Sequence, residues 1–296
     1  MERKDILSGL TAREAMRRRP VNLWRNAPIE QAIRYTIKYK VDAILVTGGR
    51  QEAVGVVSKT DIMGAYYAGI PLSASLNDIM AAPPLFCRPY DPLDSVLDTM
   101  RTNRVQRLYV LGGDPYIAIG VVAYADIVGL LYRYCHKCER SIFRSEEDGA
   151  HHSIADQFKV CEVMSRSVRR HREDESLARI MEAISLYRHG TVLIKSNDGL
   201  ALGAVSRSDL IMAYKHGIPP SAEAHSIMSA PVRSCHQDEP LIIAIHKMIF
   251  SDTHYLYVHK ENARDIVGLI SLADAARVRS GSCRACMPSR IHVEVL

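Results

Sequence analysis

The chain has 296 residues, a formal net charge of +5 and 7 cysteines. It holds no apolar run of the roughly 18 to 20 residues that a membrane span needs, and Met1-Glu2-Arg3-Lys4-Asp5 lacks the apolar core of a signal peptide, so a soluble, cytoplasmic protein is expected. The positive charge is local, in Arg17-Arg18-Arg19 and in Arg169-Arg170-His171-Arg172; with no interleaved aromatic residues these clusters read as solvated faces, not as a nucleic-acid platform.

Laid over itself at an offset of 148, half its length, the chain matches without a net gap. Gly55-Val56-Val57-Ser58-Lys59-Thr60-Asp61 falls on Gly203-Ala204-Val205-Ser206-Arg207-Ser208-Asp209, and Cys87, Cys135 and Cys138 fall on Cys235, Cys283 and Cys286. The chain is a tandem duplication. Each half repeats again more weakly, because Ala15-Met16, Ile79-Met80, Val163-Met164 and Ile227-Met228 each open a unit.

In chain order, each unit carries a helical pattern: Ile29/Ala32/Ile33/Ile37, Leu93/Val96/Leu97/Met100, Leu177/Ile180/Met181/Ile184 and Leu241/Ala244/Ile245/Met248. Pro28, Pro92 and Pro240 mark three of the helix starts, and Glu175-Ser176 the fourth. Two β-like runs follow each helix: 43–47 with 53–58, 108–111 with 117–122, 191–195 with 202–206, and 255–259 with 265–271. No unit is long enough to bury a good core alone, so pairs of units are expected to share one.

All four units then reach one motif at a strand-to-helix junction, namely Gly55 to Asp61, Gly120 to Asp126, Gly203 to Asp209 and Gly268 to Asp274. Ser-x-x-Asp before an apolar helix is a capping box, which alone would account for every residue. The same geometry offers free amides and hydroxyls to a phosphate, with the aspartate free to grip paired ribose hydroxyls.

With those residues in place, the chain resembles four cystathionine-β-synthase-type (CBS) domains forming two Bateman modules, over about residues 10–135 and 158–280. The resemblance implies an α+β fold of four β-α-β-β-α units in a pseudo-twofold, disc-like arrangement. The expected units are 10–70, 74–135, 158–218 and 222–280, with a linker at 136–157 and a tail at 281–296. It implies a non-enzymatic sensor that binds AMP, ADP, ATP or a related adenosyl compound and acts on a separate effector protein; a homodimer is compatible with it. Carried over by position, phosphate and ribose contacts fall on Ser58, Thr60 and Asp61, on Ser206, Ser208 and Asp209, and on Ser271 and Asp274. Asp126 matches too, but Ala123 and Ala125 replace hydroxyls beside it. Adenine would rest at Asp42-Ala43 and at Gly190-Thr191, where the second and fourth units have Gln106-Arg107 and His254-Tyr255. Sites in the first and third units are therefore expected to be filled and the second empty. Arg88 is expected to meet the phosphates, while Arg19, Arg169 and His236 read as surface residues.

Two Cys-x-x-Cys pairs, Cys135/Cys138 and Cys283/Cys286, each follow the last helix of a half. In a cytoplasmic chain such spacing points to metal or redox chemistry. A pseudo-twofold axis would bring the pairs together as one four-thiolate site for zinc or iron. The alternative function is thus a metal- or redox-responsive protein with vestigial nucleotide clefts. Cys87 and Cys235 read as small buried apolar residues. No Walker-type loop, dinucleotide glycine fingerprint or clustered nucleophile with its base points to an enzyme.

Overall fold

A computed structural model of the protein describes residues 9–114, 116–137, 158–187 and 190–277. Helix α1 (Ala12–Ala15) and strand β1 (Arg17–Arg18) open the chain. The first unit is β2 (Asn22–Trp24), α2 (Ile29–Lys38), β3 (Ala43–Thr47), β4 (Ala53–Ser58) and α3 (Lys59–Tyr67); the second is β5 (Phe86–Cys87), α4 (Leu93–Thr102), β6 (Arg107–Leu111), β7 (Ala118–Ala123) and α5 (Tyr124–Lys137). After α6 (Val160–Val163), the third unit runs β8 (Arg170–Arg172), α7 (Leu177–Tyr187), β9 (Thr191–Lys195), β10 (Ala201–Ser206) and α8 (Arg207–Lys215). The fourth is β11 (Ser234–His236), α9 (Leu241–Phe250), β12 (Tyr255–His259), β13 (Ile266–Ser271) and α10 (Leu272–Arg277).

Every unit has one topology. Its first strand pairs parallel with its second across the helix, as a parallel connection requires, and the third strand returns antiparallel. The helices bury the stripes that their spacing predicts, with one difference. Ile37 is 41% exposed, and the adjacent Thr36 is buried in its stead. The Thr36 hydroxyl satisfies itself by donating to Ile33 O at 2.8 Å, which lets a polar residue complete the apolar face.

The methionines and glycines that recur in the sequence explain each other. Each unit's opening segment docks on its neighbour in the same half: β1 pairs antiparallel with β7, with Arg18 opposite Gly120, and bridges join Val56 to Ala81, Ser165 to Leu269 and Ala204 to Ser229. Met16 lies over Gly120 so closely that a Cβ there would come within 2.8 Å of its sulfur; Met80, Met164 and Met228 cover Gly55, Gly268 and Gly203 in the same way. Residues 10–18 therefore open the first unit in sequence but pack on the second in space, with Ala12 and Ala15 inside the second unit's core.

Units do share cores in pairs, and the pairing joins the two halves. One core unites the first and third units, through Ile29, Ile33, Ile62 and Leu76 with Leu177, Ile180 and Leu210; the other unites the second and fourth, through Leu93, Met100 and Ile127 with Leu241, Met248 and Ile270. Between the sheets of the two units of one half lie smaller apolar clusters, Leu45/Tyr109/Val121 and Leu193/Tyr257/Ile266/Leu269. Across the pseudo-twofold, α3 packs on α8: Tyr66 and Tyr214 stack at 5.0 Å and 16°, Tyr66 Oη donates to Ile218 O at 2.5 Å, and Tyr214 Oη donates to Ile70 O. Cys87 and Cys235 are buried as expected, and burial pushes both thiols up to about 12.

Candidate functional site

The repeated motif is a working helix cap. Ser58 N and Oγ both donate to Asp61 Oδ2 at 2.7 Å, and Asp61 N returns a bond to Ser58 Oγ at 3.4 Å. Ser206 with Asp209 and Ser271 with Asp274 repeat this closely, and Asp126 takes the Ala123 amide at 2.9 Å. One carboxylate oxygen in each unit is thus committed to its own cap. Asp209 spends its second oxygen on Ser229 Oγ at 3.0 Å and Asp126 on Arg17 Nε at 2.6 Å. At Asp61 the residue corresponding to Ser229 is Ala81. Burial raises the carboxyls of Asp61 and Asp126, against the hydrogen bonds from Ser58 and the charge of Arg17.

The motif hydroxyls expected to meet phosphate are engaged across the pseudo-twofold. Lys59 Nζ donates to Ser208 Oγ at 2.9 Å, and Arg207, the residue equivalent to Lys59, donates to Thr60 Oγ1 at 2.8 Å. Asp42 does not present itself to a base. Its Oδ1 lies 3.0 Å from Lys59 Nζ, while its Oδ2 lies 2.9 Å from His254 Nδ1 and 4.0 Å from Arg107. Burial works to raise this carboxyl, but the His254 hydrogen bond and the charges of His254, Lys59 and Arg107 outweigh it and hold it well below the usual carboxylate range.

The two halves differ most where adenine was expected. In the second half Tyr255 lies against Gly190, so that a side chain there would collide with its ring. Thr191 Oγ1 is bonded to Val205 O at 3.2 Å and to Tyr257 Oη at 3.1 Å, and Arg169 is drawn over the Tyr187 ring at 3.5 Å. Tyr255 and Tyr257 of the fourth unit thus stand against Gly190 and Thr191, the place where adenine was expected. In the first half Arg107 and Ala43 replace Tyr255 and Thr191, and a cleft of about 100 Å³ opens. It is lined by Pro20, Val21, Val41, Ala43 and Val121 together with Arg17, Arg18, Arg19, Arg107 and Tyr109.

The cleft is lined by residues of both units of the first half, and Asp126 of the second unit is paired with Arg17 in that lining. Arg17, Arg18 and Arg19, expected as a solvated face, lie with Pro20 in the lining of this cleft. Arg19 adopts φ 58°, a left-handed turn that the sequence does not announce. Arg88, expected at the phosphates, is exposed and absent from the cleft lining, and its amide is capped by Asp91 at 2.7 Å.

The pattern of the CBS domain family matches residues 12–68, 76–133 and 224–281, more than half of the chain. This chain belongs to the CBS-domain family. The third unit, from β8 to α8, shares the topology of the others and lies outside the matched segments. Protein MJ1225 from Methanocaldococcus jannaschii is similar in structure, with a TM-score of 0.74 at 15% identity over 90% of this chain and 99% of that one. An uncharacterized conserved protein from Pyrococcus horikoshii gives 0.60 at 18% identity, covering 91% and 100%. At such identities the likeness establishes the CBS-domain fold and nothing finer. No curated protein matches the chain. No helix among the described residues is long and apolar enough to cross a membrane. Among them, no group of three or more His, Cys, Asp or Glu is placed to hold a metal. Cys138, Cys283, Cys286 and the Cys135 side chain lie outside the described residues.

Proposed function

We propose that the chain is a non-enzymatic regulatory protein that binds an adenine nucleotide or a related adenosyl compound in the cleft of its first half, and acts on a separate effector protein. One observation carries this reading: the first-half cleft joins apolar residues to four arginines, at the place where Tyr255 and Tyr257 stand against Gly190 and Thr191 in the second half. A flat heteroaromatic base suits the wall of Val21, Val41 and Ala43, and a phosphate suits donors that accept nothing in return. Asp126 compensates Arg17 and Asp42 faces Arg107, which leaves Arg18 and Arg19 as the charges available to an anion.

Titration calorimetry with AMP, ADP and ATP tests the reading. One site per chain is expected for at least one of the three. The double variant Arg18→Ala with Arg19→Ala should bind at least about tenfold more weakly, since each lost charge-assisted bond is worth roughly 1.5–3 kcal/mol. Arg88→Ala should bind as the wild type does. No binding of any of the three nucleotides overturns the proposal.

A second reading concerns the cysteines. Helices α5 and α10 lead toward the two Cys-x-x-Cys pairs, and they pack against each other in the core shared by the second and fourth units. This favours a shared tetrahedral thiolate site for zinc or iron built from Cys135, Cys138, Cys283 and Cys286. Anaerobically purified protein should then carry close to one equivalent of metal, and less than about a tenth of an equivalent of zinc and iron together ends the idea.

A further inference from the structure

Tyr109, in the lining of the first-half cleft, carries a buried polar group. Tyr109 is 2% exposed, and its hydroxyl has no hydrogen-bond partner among the described residues. Its counterpart in the second half, Tyr257, is 4% exposed and occupies the same place in the sheet, with Tyr109 opposite Val121 and Tyr257 opposite Leu269. Tyr257 Oη is satisfied by Thr191 Oγ1 at 3.1 Å. The first half has Ala43 where the second has Thr191, so the partner is missing and the cleft takes its place. An unpaired buried hydroxyl costs stability, and its persistence calls for a partner supplied from outside.

Resting on the nucleotide reading above, we infer that the Tyr109 hydroxyl recognises the ligand's base, donating a hydrogen bond to a ring acceptor seated over Ala43. Burial pushes the phenol up to about 12 against the charges of Arg107 and Arg17, so at neutral pH it keeps its proton and is able to donate. The guanidiniums of Arg17, Arg18, Arg19 and Arg107 serve the anionic end. Tyr109 shares the lining with Val21, Val41 and Ala43, where a flat ring lies. A phenol both donates and accepts, so it engages the edge of a base, and its loss is felt by a ligand that carries the base and not by the sugar phosphate alone.

The test is Tyr109→Phe in the full chain. Affinity for whichever of AMP, ADP or ATP the wild type binds should fall about five- to tenfold, the usual worth of one hydrogen bond. The thermal midpoint should stay level or rise, since the change removes a hydroxyl that had no partner. Ribose 5-phosphate, which lacks the base, should compete equally well with nucleotide on both proteins. Ala43→Thr restores the partner that Tyr257 enjoys; it should weaken nucleotide binding, and adding Tyr109→Phe to it should cause no further loss. Unchanged nucleotide affinity in Tyr109→Phe overturns the inference while leaving the nucleotide reading intact, and so does an equal loss for ribose 5-phosphate. A wild type that binds none of the three nucleotides overturns both.

Discussion

A fragment ending at Lys137 is expected to be a dimer. The large cores run between the halves, so such a fragment would expose Ile62, Met63 and Tyr66 of α3 with Ile127 and Val128 of α5, all buried in the whole protein. Each fully buried aliphatic or aromatic side chain contributes roughly 1.5–3 kcal/mol, so leaving five of them in water removes about 10 kcal/mol, comparable to the entire stability of a domain. A second copy can cover these faces because the halves are duplicates: α3 would meet another α3 as it now meets α8, and Lys59 would find Thr60 of the second copy where it now finds Ser208. Light scattering on the purified fragment should give twice the fragment mass. A folded monomer at micromolar concentration would show that the sheet-to-sheet clusters, not the shared helical cores, hold the fold.

The second large effect is expected at Asp42. This carboxylate of the first unit meets Lys59 of its own unit, Arg107 of the second and His254 of the fourth, and Lys59 extends the chain of contacts to Ser208 of the third. Asp42→Ala would leave Lys59 and Arg107 without this counter-charge. Removing one partner of a fully buried pair costs about 3–5 kcal/mol and of an exposed pair less than about 1. With 33% of its side chain exposed, Asp42 should fall between, near about 2–3 kcal/mol in urea denaturation at neutral pH. Its folded-state carboxyl is held below the unfolded value, so this stability is present above the unfolded value near 3.8 and is lost as pH falls through the folded one. Asp61 and Asp126 act in the opposite sense: their carboxyls are raised in the folded state, so they favour folding as pH drops and their contribution fades as it climbs. The wild-type advantage over Asp42→Ala should therefore shrink between pH 4 and pH 2 (roughly the ordinary carboxylate range). A variant as stable as the wild type at neutral pH would mean that the cluster is held by packing alone.

Local order was legible in the sequence, and partnership was not. The helix stripes at 29–33, 93–100, 177–184 and 241–248 follow from spacing alone, as do the strands they introduce. The methionines and glycines were both visible as repeats, yet nothing local says that Met16 rests on Gly120, about a hundred residues away. Each Ser-x-x-Asp motif fits a cap and a sugar contact equally well on paper, because both use the same oxygen atoms; only the positions of Ser58 and Asp61 show the cap. Tyr255 could be recognised as a bulky residue at the place of an expected base contact, but the residue it packs against is Gly190 in the preceding unit. Ala43 and Ala81 are informative only beside Thr191 and Ser229, since it is the pairing of halves that reveals which hydroxyls have gone.

The exchange of opening segments limits how the molecule can move. Because Met16 and β1 are fastened to β7, and residues 75–81 are fastened in return to the first unit, the two units of a half are latched from both sides. Pulling them apart would unzip strand pairing and uncover both methionine seats together. Separating the two units therefore requires both latches to open together, which favours a small pivot over a wide hinge opening.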